Sequence, residues 1–215
     1  MITSKQQLLI CALYIASLIL ICKPAGACFN GLIIIPTADI VQRGGFSVEM
    51  QVDGTLKNYR TDTTLFNSQF GISNNLEAGI DYDASSGATS RFLLNAKYMF
   101  ARTKDSSWRA AIGTCGAAEH SHHSPYFVVT RDCKSFRLHM GEMLVEKNLR
   151  GFVGFDHSFN DKLAIYADYS AGSDHYSSVG LNYQMTKNFS VLSGIMFPNT
   201  GSGARYSVHF VFTGP

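Results

Sequence analysis

Apolar and polar residues alternate with a period of two in short segments from Phe46 to Phe212, and no stretch of that region carries a helical period. Successive side chains of a strand point to opposite faces, so each segment reads as a strand with one apolar and one polar face. Phe46, Val48, Met50 and Val52 alternate with Ser47, Glu49, Gln51 and Asp53. Leu76, Ala78, Ile80 and Tyr82 alternate with Glu77, Gly79 and Asp81, and Phe92, Leu94, Ala96, Tyr98 and Phe100 with Arg91, Asn95 and Lys97. Leu163, Ile165, Ala167 and Tyr169 alternate with Ala164, Tyr166, Asp168 and Ser170; Tyr206, Val208, Phe210 and Phe212 alternate with Arg205, Ser207 and His209.

The connections carry a second pattern. Ser73-Asn74-Asn75, Asp132-Cys133-Lys134, Asn160-Asp161 and Thr186-Lys187-Asn188 are short polar turns. Residues 54–60, 85–90, 116–125, 171–176 and 198–203 are longer and rich in Gly, Ser and His. For most of the chain short and long connections alternate, as in an up-and-down barrel with tight periplasmic turns and longer outside loops; the link from Ala101 to Ser107 is long for its side. The expected fold is all-β: a closed antiparallel up-and-down transmembrane β-barrel of about twelve strands, or about ten if the pieces between 126 and 141 fuse. The strands are expected near 46–53, 62–72, 76–83, 91–100, 108–114, 126–131, 135–141, 151–158, 163–170, 177–185, 189–197 and 204–212. An even count returns both ends of the barrel to the periplasmic side.

A soluble β-sandwich also alternates, so the membrane reading rests on further features. Aromatic residues gather at strand ends: Phe70, Phe100, Phe159, Phe189 and Phe212 beside the short turns, and Tyr82, Phe92, Tyr126, Tyr169, Phe197 and Tyr206 toward the long loops. Two such belts suit the two interfaces of a bilayer. A lipid-facing set of strands must also close on itself, because hydrocarbon satisfies no backbone hydrogen bonds. The polar face then lines the lumen, which places Glu49, Asp81, Arg91, Lys97, Arg109, Arg137, Asp156, Asp168 and Arg205 inside as a mixed-sign, pore-lining set.

The start of the chain reads as an export signal over residues 1–27. Lys5 precedes an apolar run from Leu8 to Cys22 of about fifteen residues, short of the ~20 that a spanning helix needs. Lys23-Pro24 ends the run, and Ala25-Gly26-Ala27 offers small residues for cleavage after Ala27. The mature chain would begin at Cys28, which raises the alternative of lipid attachment there. It would retain Cys28, Cys115 and Cys133, enough for one disulfide and too few for a disulfide framework. No CxxC pair suggests structural zinc, and the net charge of +2 supplies no basic footprint for nucleic acid.

Residues 28–44 form a lead-in ahead of the barrel at 45–215. Gly31-Leu32-Ile33-Ile34-Ile35-Pro36-Thr37-Ala38-Asp39 is the most distinctive stretch: a short apolar run stopped by Pro36, with Thr37 placed to cap a turn. It either tucks into the barrel as a small plug or serves as an ordinary periplasmic lead-in. The Gly31…Pro36-Thr37-Ala38 opening resembles that of the YjbH-like group of outer-membrane proteins linked to exopolysaccharide export. The hairpins at Gln69–Gly79 and Gly180–Ser190 are similar to those of such barrels. The resemblance implies an outer-membrane barrel associated with polysaccharide. The final Tyr206–Phe212 strand likewise resembles the terminal strand of outer-membrane barrels, but Thr213-Gly214-Pro215 follow its last aromatic residue.

Three functions are open. The first is a small channel or export-associated barrel for polar solutes or polysaccharide, with outer-membrane lipid and the barrel-assembly machinery as partners and no cofactor. The second is a non-conducting structural or surface-interaction barrel. The third is an outer-membrane hydrolase, for which His175, Asp174 and Ser177 are rim candidates, whereas His157 and Ser158 are adjacent and point to opposite faces. No motif of a barrel enzyme is present, so the chain is read as a non-enzyme. Glu119, His120, His122 and His123 in an outside loop are weak candidates for Zn²⁺ or Cu²⁺.

Overall fold

The computed structural model describes residues 31–85, 92–116, 123–145, 147–201 and 203–215. The expected signal segment and Cys28 lie outside the described residues, as do Arg91, Glu119, His120 and His122. Strands β1 (Phe46–Thr55), β2 (Arg60–Gly71), β3 (Leu76–Asp83), β4 (Phe92–Arg102), β5 (Trp108–Cys115) and β6 (Ser124–Asp132) make the first half of the chain. Strands β7 (Arg137–Val145), β8 (Asn148–Ser158), β9 (Leu163–Ser170), β10 (Tyr176–Gln184), β11 (Phe189–Pro198) and β12 (Arg205–Gly214) make the second. Each pairs with its chain neighbours, and β1 pairs with β12 from Phe46↔Gly214 to Thr55↔Arg205, which closes a twelve-strand barrel. The ten-strand alternative is excluded, because β6 and β7 are separate strands joined at Asp132↔Arg137.

Parity decides which side chain goes where. Ser47, Glu49, Gln51 and Asp53 are buried in the lumen, while Val48 and Met50 between them face out. The outer surface continues with Phe66, Phe70, Ile80, Leu94, Tyr98, Ile112, Phe127, Val153, Leu181, Ile195 and Phe210, all exposed. A contiguous apolar belt around a barrel with a polar interior is the surface of a protein solvated by hydrocarbon. At the end that carries both barrel termini, here the terminal mouth, Arg131 stacks 4.8 Å from the centre of the Trp108 ring.

Several local expectations are corrected. Tyr126 is not part of the outer belt: it shares the inward parity of Ser124, Val128 and Thr130 on β6 and is 7% exposed. Asp132 is the last residue of β6, not a turn residue. The strands expected at 135–141 and 151–158 run to Val145 and from Asn148, and Val145 pairs with Asn148. This close connection is a second departure, after the link from Ala101 to Ser107, from the alternation of short and long connections. The long link after β4 arises from a register shift between Met99 and Ala101, which carries β4 on to Arg102. Thr213 and Gly214 do not hang beyond the barrel; they remain in β12, opposite Ser47 and Phe46.

Candidate functional site

The lumen holds the lead-in. Gly31 and Pro36 form an isolated antiparallel bridge around a tight turn in which Leu32 N–H donates to Ile35 O at 3.0 Å. Leu32, Ile33, Ile35, Pro36, Thr37 and Ala38 are all buried. Leu32, Ile35 and Ala38 pack with Met99, Ala111, Cys115, Tyr126, Val128 and Phe152, and Ile33 packs with Leu192 and Met196. The barrel's apolar core is therefore the contact between the plug and one sector of the inner wall. Three inward glycines, Gly154, Gly180 and Gly194, open sockets in that wall. A Cβ at Gly154 would lie 2.5 Å from Ile35 Cδ1 and 2.6 Å from Leu32 Cδ1, and one at Gly194 would lie 2.8 Å from Ile33 Cδ1.

Polar contacts lock the turn in place. The Ile33 and Ile34 amides both donate to Asp168 Oδ2, at 2.8 and 3.0 Å, so a buried carboxylate satisfies backbone groups that the turn leaves unpaired. Ala38 N–H donates to Thr130 Oγ1 at 2.9 Å. That frees the Thr130 hydroxyl hydrogen for His139 Nδ1 at 2.9 Å, while His139 Nε2 lies 2.7 Å from Asp156 Oδ1. Val41 N–H donates to Glu77 Oε2 at 2.6 Å, and Glu77 pairs with Lys97 at 3.0 Å. Lys97 Nζ also donates to the Asp39 carbonyl at 2.5 Å.

Asp39 is the electrostatic centre of this latch. Its Oδ1 lies 2.9 Å from Arg109 Nε and its Oδ2 2.7 Å from Arg137 Nη1. Arg109 is held in turn by Asp132 at 2.6 Å and Arg137 by Asp156 at 3.0 Å, so two guanidiniums bridge the plug to two wall carboxylates. Burial opposes charge on Asp39, but Arg137, Arg109 and Lys97 outweigh it and hold its carboxyl below the ordinary carboxylate range. A polar cleft of ≈ 590 Å³ at the terminal mouth opens onto this cluster between Asn74, Arg102 and Arg109.

The remaining sector, from β12 through β1 to β4, is polar. Ser207, His209, Ser47, Glu49, Gln51, Asp53, Asn67, Gln69, Asp81 and Asn95 all face inward and are buried. Ser207 Oγ lies 2.7 Å from His209 Nε2, and His209 Nδ1 lies 2.7 Å from Glu49 Oε1, the spacing of a Ser-His-acid triad. Its polarity is wrong for one. The Ser207 hydroxyl donates to Asp53 at 2.5 Å, so it accepts from the imidazole instead of giving it a proton. Ser207 is also fully buried, which leaves no path for an acyl substrate.

The expected lumen-lining residues Glu49, Asp81, Lys97, Arg109, Arg137, Asp156, Asp168 and Arg205 all sit on inward positions. They divide among separate networks: Arg109, Arg137, Asp156 and Lys97 around the plug, Asp168 under its turn, Glu49 and Asp81 in the polar sector. Arg205 pairs with Asp62 near the far mouth, with contacts of 2.5 and 3.0 Å. The rim candidates do not assemble. Asp174 pairs with Arg150, His175 Nδ1 meets Ser170 Oγ at 2.9 Å, and Ser177 donates to Asn199 at 3.2 Å. Burial and the Arg150 charge push the His175 imidazole below its usual range. His123, from the His-bearing loop, is half-buried, and burial lowers it likewise. Cys115 is disulfide-bonded, and Cys133 is a free thiol. His139, His209, Thr130 and Glu77 belong to the networks and were legible only as inward parity.

No protein-family model and no curated protein sequence matches the chain. Among solved structures, the fold is similar to that of KdgM porin, with a TM-score of 0.56 and 14% identity over 77% of this chain and 98% of that one. It is similar also to a KdgM porin in complex with disordered oligogalacturonate, with a TM-score of 0.55 at the same identity and coverage. These likenesses establish a porin-like barrel fold.

Proposed function

We propose that this protein is an outer-membrane channel for small polar solutes, occluded at rest by its own lead-in segment. One observation carries the reading. The lumen is divided between an apolar sector that seats the plug and a polar sector lined from β12 to β4 by carboxylates, amides and hydroxyls. A polar wall of this extent offers hydrogen-bonding groups along which water and small polar solutes can pass once the plug moves, and each of those groups must find a partner or cost stability. The porin-like fold and the apolar outer belt support an outer-membrane setting, reached after removal of the segment ending near Ala27 and with help from barrel-assembly machinery. Passage of oligosaccharide, or a role beside exopolysaccharide export, fits the Gly31…Pro36-Thr37-Ala38 resemblance. The reading assigns the chain no catalysis and no cofactor.

A second reading is favoured by the latch itself. Ion pairs at Asp39, the Asp168 clamp and the glycine sockets together describe a plug that stays, as expected of a non-conducting structural barrel. Conductance in planar bilayers separates the two. The wild-type barrel should give small or intermittent currents, and a variant lacking residues 32–38 should give larger, steady ones. If the deletion variant folds yet passes no current, the channel reading fails.

A further inference from the structure

The polar sector contains a patch whose hydrogen bonds do not close. On three successive strands, the inward side chains Glu49 of β1, Asn67 of β2 and Asp81 of β3 occupy one row, since Glu49 pairs with Asn67 and Asn67 with Asp81 in the strand register. Gln51 lies one inward position along β1, and Gln69 one along β2. Asn67 is 1% exposed and Asp81 is completely buried. Asn67 Nδ2 reaches Glu49 Oε1 at 3.4 Å, Asn95 Nδ2 donates to Asp81 Oδ2 at 2.5 Å and Gln51 Nε2 to Asp53 at 2.8 Å, yet Asn67 Oδ1, Asp81 Oδ1 and Gln51 Oε1 have no donor and Gln69 Nε2 has no acceptor.

Three unpartnered acceptor oxygens in one buried patch, one of them carried by a carboxylate, are costly in a closed wall. The nearest basic groups are already engaged. His209 shares Glu49 Oε1, Lys97 pairs with Glu77 on the neighbouring strands, and Arg205 pairs with Asp62. Among the described residues no three His, Cys, Asp or Glu side chains group to hold a metal ion, so a site here draws on amide oxygens beside its carboxylates. Oxygen-only ligands with partial negative charge are the preference of hard cations, not of zinc or copper.

We infer that the Glu49–Asn67–Asp81 patch is a cation-binding site in the lumen wall, taking a hard cation through carboxylate and amide oxygens. It rests on the channel reading only for its purpose: in a conducting barrel it would be a station for cations passing beside the plug. Asp81 supplies the free carboxylate oxygen, Asn67 Oδ1 and Gln51 Oε1 supply neutral ligands, and Glu49 adds negative charge shared with His209.

The test uses the full barrel folded in detergent micelles, with CaCl₂ as the probe and choline chloride at matched ionic strength as the reference. Calcium should raise the thermal unfolding midpoint and give a saturable heat of binding. Asp81→Asn should weaken the binding about tenfold or more, because affinity at oxygen sites follows ligand charge. Asn67→Asp, which adds a carboxylate in the same place, should tighten it, and this variant keeps the proposal testable if Asp81→Asn folds poorly. Absence of binding to the folded wild type, or equal binding by Asp81→Asn, overturns the site. Planar-bilayer recordings keep the two readings apart. Calcium binding without current leaves the site standing and removes the channel, whereas current without calcium binding leaves the channel and removes the site.

Discussion

Arg137 Nη1 lies 2.7 Å from Asp39 Oδ2, and its Nε lies 3.0 Å from Asp156 Oδ2, so one guanidinium ties the plug to the barrel wall. Arg109 repeats the arrangement from β5, with Asp39 on one side and Asp132 on the other. Neutralising Asp39 removes the plug's carboxylate charge but leaves both arginines their wall partners. Asp39→Asn should therefore cost on the order of 1–2 kcal/mol, between the ranges for exposed and buried ion pairs, as its side chain is 34% exposed. The thermal unfolding midpoint should fall slightly and bilayer current should rise. An unchanged current from a folded Asp39→Asn barrel would remove Asp39 from the latch.

The same pair sets a pH dependence with a defined sign. In the docked plug the Asp39 carboxyl is held below its ordinary value, which is about 3.9 for a solvated aspartate. A depressed value in the docked state means that ionisation favours docking. The contribution is complete above about pH 4 and is lost as pH falls through the docked value. Acidification below that point should increase wild-type current, and Asp39→Asn should lack this step. Paired pH titrations of current in the two proteins make the check.

The architecture was far more legible in the sequence than the latch. Period-two alternation is a local property, so Phe46–Asp53 declares both its faces without knowledge of any partner. The limits of β7 and β8 were less visible, because Gly141, Gly151 and Gly154 interrupt the alternation with residues that declare no face. Tyr126 was misplaced because an aromatic residue near a strand end suits either an interface belt or a lumen, and only the burial of Val128 and Thr130, whose parity it shares, decides between them. Inward charges could be named, but not paired. Asp168 serves two backbone amides of the Leu32–Ile35 turn, which depends on where that turn enters the barrel, and Asp156 serves Arg137 and His139, which depends on the register of β7 against β8.

Cysteine chemistry gives an independent check on the wall. Cys115 is disulfide-bonded and buried within the plug-facing cluster, whereas Cys133 is free and part-exposed in the turn after β6. A maleimide applied to the folded barrel should modify Cys133 and spare Cys115 until a reductant is added. Peptide mass mapping before and after reduction reads both positions and identifies the bridging partner. Modification of Cys115 without reductant would contradict the bridge.

The glycine sockets allow the sharpest test of how the plug is seated. At Gly154 every close neighbour of a new Cβ is a side-chain atom: Ile35 Cδ1 at 2.5 Å, Leu32 Cδ1 at 2.6 Å and Asp168 Cβ at 3.3 Å. The wall strand itself therefore tolerates a larger residue, and the strain falls on the plug. Gly154→Val should destabilise the barrel by about 1–3 kcal/mol, as overpacking of a filled core does, and should raise bilayer current. Trimming the opposing side chain should relieve it. Ile35→Ala alone loses packing, but combined with Gly154→Val it should recover part of the unfolding midpoint, giving a coupling energy of about 0.5–3 kcal/mol in a double-mutant cycle. Strict additivity of the two substitutions would show that Ile35 does not occupy the Gly154 socket, and the plug would then have to be seated in some other way.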